Sequence, residues 1–184
     1  MRILAALLFK LTGWKAEGEL PKDLNSFVII GVPHTSNWDF LYSRAIFSLL
    51  GVPVRFVAKK ELFFFPLGYV LRKLGGIPVD RSRGAKVIPQ MVDLLKNNDN
   101  LALLIPPEGT RKPVKKWKRG FYNAALQADV PIVLGYLDYK EKKAGIGPVI
   151  YPSGNYKEDL RKIVDFYRNI TPKHPENFQI PEGV

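Results

Sequence analysis

The chain contains two histidines, and one of them stands where chemistry could be done. In "VPHTSNWDF", residues 32–40, His34 follows an apolar run and Asp39 comes five positions later. A carboxylate that accepts from one imidazole nitrogen fixes the tautomer and leaves the other nitrogen as a base. Such a pair would deprotonate a hydroxyl. The plainer reading is a helix start. Ser36 with Asp39 three residues on is a capping-box pattern, and a carboxylate suits the positive end of a helix dipole. Residues five apart on a helix lie about 140° apart around its axis, so His34 and Asp39 meet only if His34 sits on the entering loop. A cap at Ser36 would place it there.

Two further polar clusters could bind an anion. "VDRSRG" offers Arg81 and Arg83, and "PPEGTRK" offers Thr110, Arg111 and backbone amides freed by Gly109. An arginine fork and a Gly-bearing turn suit a phosphate. Taken singly, each cluster reads equally well as a solvated charge run or an ordinary turn. No Gly-x-Ser-x-Gly nucleophile occurs, which assigns the reacting hydroxyl to a substrate.

These residues need elements to hold them. Short apolar strands are expected at 26–32, 77–80, 130–139 and 144–152, with a strand running into a basic turn at 52–62 and a strand followed by a loop at 100–110. Helices are expected at 39–51, 66–76, 84–99, 120–129 and 156–170, with Pro89 awkwardly inside the third. Strands alternating with helices predict an α/β layer fold with a largely parallel sheet in a single domain over residues 1–184. Loops leaving the carboxyl ends of parallel strands carry the chemistry in such folds, and all three polar clusters follow a predicted strand. Residues 171–184 read as an extended, Pro-rich tail.

Composition narrows the partners. The 184 residues carry a formal net charge of +11, which favours nucleic acid, a phosphorylated substrate or an anionic membrane surface. Cysteine is absent, so disulfides and thiolate chemistry are excluded, and with two histidines a structural zinc site is not expected. No apolar run approaches the roughly 20 residues of a membrane span. Residues 1–14, "MRILAALLFKLTGW", carry no small-residue cleavage site; they predict a helix that covers the core or lies in a membrane interface. "KKELFFFPLGY", residues 59–69, sets lysines beside three consecutive phenylalanines, which cannot all point inward on a strand or short turn. "KPVKKWKRGFY", residues 112–122, would suit a different class, nucleic-acid binding, if Trp117, Phe121 and Tyr122 were free to stack on bases.

Four blocks in order resemble the glycerolipid acyltransferase family, typified by the lysophosphatidic acid acyltransferases. They are "HTSNWD" (34–39), "GIPVDR" (76–81), "PEGTR" (107–111) and "VPIV" (130–133). Pro106 stands where the family commonly has an aromatic residue, and Leu134 and Gly135 follow the fourth block where another proline is frequent. The resemblance implies acyl transfer from acyl-CoA or acyl carrier protein to a glycerolipid hydroxyl, as in phospholipid biosynthesis. It makes His34 the general base and Asp39 its orienting partner. It assigns Gly76 and Arg81 to the acceptor's phosphate site, and Glu108, Gly109, Thr110 and Arg111 to acceptor positioning, with Arg111 a phosphate ligand. Pro131 would shape the acyl-binding region. No metal or prosthetic group is implied. The expected partners are a lysolipid, an acyl donor and an anionic membrane surface, with the protein peripheral or monotopic on the cytoplasmic side of the cell membrane. Acylation of an ornithine lipid or a glycolipid is the alternative within the class.

Overall fold

The computed structural model describes residues 2–80 and 87–183. Seven strands form one sheet: β1 Lys15–Glu17, β2 Phe27–Gly31, β3 Val54–Lys59, β4 Gly76–Val79, β5 Ala102–Leu104, β6 Ile132–Asp138 and β7 Lys143–Ile150, in the order β1-β7-β6-β2-β5-β3-β4. β6, β2, β5, β3 and β4 run parallel, so their carboxyl ends share one edge. β7 returns antiparallel to β6, and β1 pairs parallel with β7. The expected α/β class with a mixed, largely parallel sheet is what forms.

Helices cover both faces, and strand alternation decides which residues meet them. Phe27 and Ile29 of β2 face one layer together with Ala102 and Val133. That layer is α1 Arg2–Thr12 and α2 Trp38–Leu49, which bury Ala5, Phe9, Tyr42, Ala45, Ile46 and Phe47. Val28 and Ile30 face the opposite layer with Leu103, Ile132 and Leu134. It is built by α4 Val87–Lys96, α5 Gly120–Ala128 and α6 Tyr156–Tyr167. The short α3 Leu67–Lys73 lies beside β4. Pro89 falls in the first turn of the described part of α4, and a proline needs no helical partner for its nitrogen there.

Two expectations change. β1 has no counterpart in the sequence reading, because "KAE" is exposed, charged and only three residues long. The tail beyond α6 is not loose. Thr171 accepts from the Tyr139 amide at 2.9 Å, and Glu182 donates its amide to Lys115 O at 3.0 Å. A 3₁₀ turn at Pro175–Asn177 lies between these ties.

The last residue of α6 ties the sheet near the functional edge. Tyr167 is fully buried, and its hydroxyl lies 3.2 Å from Ile30 O and 3.0 Å from Gly135 O, between β2 and β6. Burial first, and the nearby Glu108 second, hold this phenol well above its usual pKa, so it remains a donor. Tyr167→Phe removes the donor and keeps the ring. A loss on the order of 1–3 kcal/mol is expected. Urea unfolding followed by circular dichroism measures it, and a variant as stable as the parent would remove this hydroxyl from the account.

Candidate active site

β2 ends at Gly31 and α2 begins at Trp38, so His34 lies on the connecting loop at the carboxyl edge of the sheet. The loop turns back on the Asp39 carboxylate. Asp39 Oδ2 accepts the amides of Thr35 at 2.7 Å and Ser36 at 2.8 Å, and lies 3.2 Å from His34 Nδ1. Its other oxygen, Oδ1, accepts the Tyr139 hydroxyl at 2.8 Å. The predicted pair therefore forms, but not through the predicted cap. Asn37 holds the N-cap position of α2 without capping through its side chain. Ser36 Oγ accepts from Trp38 N at 3.2 Å, while Asp39 reaches back to the loop amides.

Burial would raise the pKa of Asp39, 4% exposed, but its bonded neighbours win. The His34 ring, the Ser36 amide, the Tyr139 hydroxyl and the Thr35 amide together hold it below its ordinary value. Asp39 is thus an anion that fixes His34 by Nδ1 and leaves Nε2 free of it. The ring keeps 27% side-chain exposure, enough to meet a substrate.

His34 stands at the mouth of a cleft of about 200 Å³ on the α2 side of the sheet. Phe40, Ile46 and Phe47 of α2, Phe56 of β3, Leu104 of β5 and Leu137 of β6 give it mostly apolar walls. A base beside an apolar slot suits a substrate with a hydroxyl and a hydrocarbon chain.

The loop after β5 supplies the second carboxylate. Glu108 is 4% exposed and accepts the His34 amide on Oε2 at 2.9 Å. Desolvation, reinforced by Asp39, pushes its pKa up to about 8 against the relief given by the His34 amide. Two carboxylates in one site thus take different states at neutral pH, a charged Asp39 and a largely neutral Glu108. Gly109 has a φ of +66°, and a side chain there would meet Lys118 Nζ at 2.9 Å. Thr110 Oγ1 accepts from Lys112 N at 3.3 Å, and exposed Arg111 donates from a guanidinium nitrogen to Asn37 Oδ1, beside the His34 loop.

The family model described as Acyltransferase matches residues 16–134. The chain belongs to the acyltransferase family. No curated protein matches it. Among solved structures it is similar to PlsC, the 1-acyl-sn-glycerophosphate (LPA) acyltransferase of Thermotoga maritima. The TM-score is 0.59 at 22% identity, over 90% of this chain and 73% of that one. The two share a fold.

The acyltransferase brings His34, Asp39, Glu108 and Arg111 around one loop, with Gly109 and Thr110 between the last two. Glu108 touches the loop's backbone, a tie the sequence reading did not foresee when it assigned the residue to the acceptor. Gly76 is not part of this cluster. It opens β4, and a Cβ there would lie 2.8 Å from Leu71 O and 3.2 Å from Phe56 Cζ. The backbone there is closely packed. Arg81 and Arg83 lie outside the described residues. Pro131 is buried at the start of β6 and its carbonyl accepts from Val28 N at 3.0 Å; the cleft is lined by Gly135, Tyr136 and Leu137 of that strand instead. Trp117, Phe121 and Tyr122 are at most 5% exposed, which makes them core and withdraws them from base stacking. Tyr139 was missed altogether. Its only sequence signal is its place at the end of a strand in a parallel sheet, 100 residues from Asp39.

The raised pKa of Glu108 has a sign that can be tested. As pH rises past the ordinary carboxyl value of 4.5, the unfolded chain ionises at Glu108 before the folded one does, so the folded state loses stability until the pH passes about 8. Glu108→Gln removes this dependence and keeps an acceptor for the His34 amide. The variant should exceed the parent in free energy of unfolding, measured by urea denaturation at pH 9, by an amount on the order of a few kcal/mol, with the gap closing toward pH 5. A gap independent of pH would mean that Glu108 folds as an ordinary carboxylate.

Proposed function

We propose that the protein transfers a fatty acyl group from a thioester donor, acyl-CoA or acyl carrier protein, to the hydroxyl of a lysophosphatidic acid-type glycerolipid. The observation that carries this reading is His34, bonded through Nδ1 to a charged Asp39 at the mouth of an apolar cleft. His34 Nε2 takes the proton of the acceptor hydroxyl as its oxygen attacks the thioester carbonyl. Asp39 stabilises the imidazolium that forms. The tetrahedral adduct then collapses, the C–S bond breaks, and the imidazolium returns its proton to the departing thiolate. No enzyme nucleophile and no cofactor enter the scheme. The cleft takes hydrocarbon, and exposed Arg111 beside the His34 loop offers a fork for the acceptor's phosphate. The 1-acyl-sn-glycerophosphate acyltransferase of Thermotoga maritima, which shares the fold, supports this choice of acceptor. Ornithine lipids and glycolipids lack that phosphate monoester, which ranks them second.

The test is a panel. Purified protein, acyl-CoA or acyl carrier protein and a set of lysolipids are combined, and products are read by mass. Acylated lysophosphatidic acid is the expected main product. His34→Ala should lose a factor of about 10² to 10⁴ in turnover with the fold retained. Near-normal turnover in that variant would sink the general-base mechanism, and a preference for an acceptor without phosphate would sink the substrate.

The same reading puts the protein on a membrane surface, where its acceptor is, on the cytoplasmic side of the cell membrane. Among the described residues no helix is long and apolar enough to cross a bilayer. α1 buries Ala5 and Phe9 and leaves Ile3, Leu4, Leu7 and Leu11 exposed, Leu11 by 84%. Phe64 and Phe65 are exposed as well, Phe65 by 90%, next to Lys59 and Lys60. An amphipathic helix with this outer stripe lies in an interface, and each nearby lysine adds about 1 kcal/mol of attraction to anionic lipid. Leu7→Glu combined with Leu11→Glu should abolish flotation with anionic liposomes while turnover on a detergent-dispersed acceptor stays within about twofold. Unchanged flotation would remove α1 from the membrane contact.

A further inference from the structure

The two oxygens of Asp39 are held by different parts of the chain. Oδ2 takes all its donors from the loop that precedes α2: the Thr35 and Ser36 amides and His34 Nδ1. These groups can tilt with Asp39 as one body, so they fix the pair internally and not against the sheet. Oδ1 takes its donor from Tyr139, the residue after β6. Among the described residues it is the one side chain from another element that donates to Asp39.

Tyr139 is itself well anchored. Its amide donates to Thr171 O at 2.9 Å. Its ring meets Trp14 edge-on at 5.0 Å between centroids and Tyr42 at 6.1 Å. Lys173 Nζ stands 5.9 Å from the same ring and 4.7 Å from that of Trp38, at the first turn of α2. One residue further, the His174 amide donates to Thr35 Oγ1 at 3.3 Å, so the segment 171–174 holds both Tyr139 and the loop. An ionised carboxylate only accepts, so the phenol must donate. Burial first, then Asp39, holds its pKa far above the usual phenol value and keeps that proton in place.

We propose that Tyr139 is a positioning residue of the acyl-transfer reaction, fixing the Asp39 carboxylate and through it the His34 imidazole, with residues 171–174 as its support. The role rests on the general-base reading. It falls outside residues 16–134, the part of the chain that the family model matches. Without the hydroxyl, Oδ1 is left buried with no donor, and the carboxylate binds a proton more readily. A carboxylate with one donor fewer is more basic, so the His34–Asp39 pair takes up a proton at higher pH. Among the described residues, the charged and titratable groups around the pair are Glu108 from the loop after β5 and Tyr139 after β6, with Tyr42 from α2 and Lys173 from the tail against Tyr139.

Tyr139→Phe in the 184-residue chain keeps the ring and removes only the hydroxyl. Turnover of lysophosphatidic acid should fall by roughly ten- to a hundredfold, the range of a hydrogen bond to a charged group. The acceptor KM should stay within about twofold, and the acidic limb of kcat/KM should move to higher pH. Tyr42→Phe, which alters a ring against Tyr139 without touching Asp39, should leave that limb in place. Thermal melts accompany each variant. An acidic limb unmoved by Tyr139→Phe overturns the proposal, whatever happens to turnover, because the residue then acts through packing alone. Equal shifts in Tyr42→Phe and Tyr139→Phe overturn it as well. Normal behaviour of Tyr139→Phe beside an inactive His34→Ala removes only this inference, whereas an active His34→Ala removes the general-base mechanism beneath it.

Discussion

A single buried carboxylate organises the functional edge of this molecule. Asp39 is almost wholly out of water, and an isolated charge there would cost several kcal/mol. It is tolerated because four groups bond to it: two amides, an imidazole and a phenol. Each of these donors is fixed in turn by that requirement. The His34 loop must fold back to offer its amides, β6 must end where a tyrosine can reach, and α2 must start where its first turn presents the acid. The architecture of the edge follows from keeping one anion solvated by protein.

Glu108 shows the opposite solution a few residues' reach away. It accepts the His34 amide, but burial and the charge of Asp39 win and the group favours its neutral form. A second fixed negative charge next to Asp39 would compete for the imidazole proton. A neutral Glu108 holds the His34 backbone without adding that charge. The site therefore contains two acids, of which one supplies charge and one supplies shape.

Much of this was legible in the sequence because it depends on short-range pattern. The apolar runs gave the strands, and their alternation with helical periodicity gave the layers. The five-residue spacing from His34 to Asp39 gave the pair, since a loop entering a helix brings such residues together by local geometry alone. What was not legible depends on pairings across the chain. Glu108 reads as one of a conspicuous polar block, and only the fold shows that its partner is a backbone amide 74 residues away. Tyr139 sits in an unremarkable "LDY" at a strand's end. Gly76 and Pro131 were placed near the substrate by family likeness; in the structure Gly76 opens β4 against Leu71 and Phe56, and Pro131 immediately precedes β6. β1 was invisible because its pairing with β7 needs no apolar signal.

The tail's contact with Thr35 closes a separation of 139 residues, and the Tyr139 bond to Asp39 closes one of 100. Links that long carry a large loop-closure entropy and form after local structure. They also impose an order during synthesis. A chain growing from its amino terminus can pair β2 with β5 and build α2 long before residues 171–174 leave the ribosome. Until they do, the amide that meets Thr35 and the carbonyl that anchors Tyr139 do not exist in the folded part. The nascent protein thus carries His34 and Asp39 early, whereas residues 171–174, which meet both Thr35 and Tyr139, are translated more than 130 residues later.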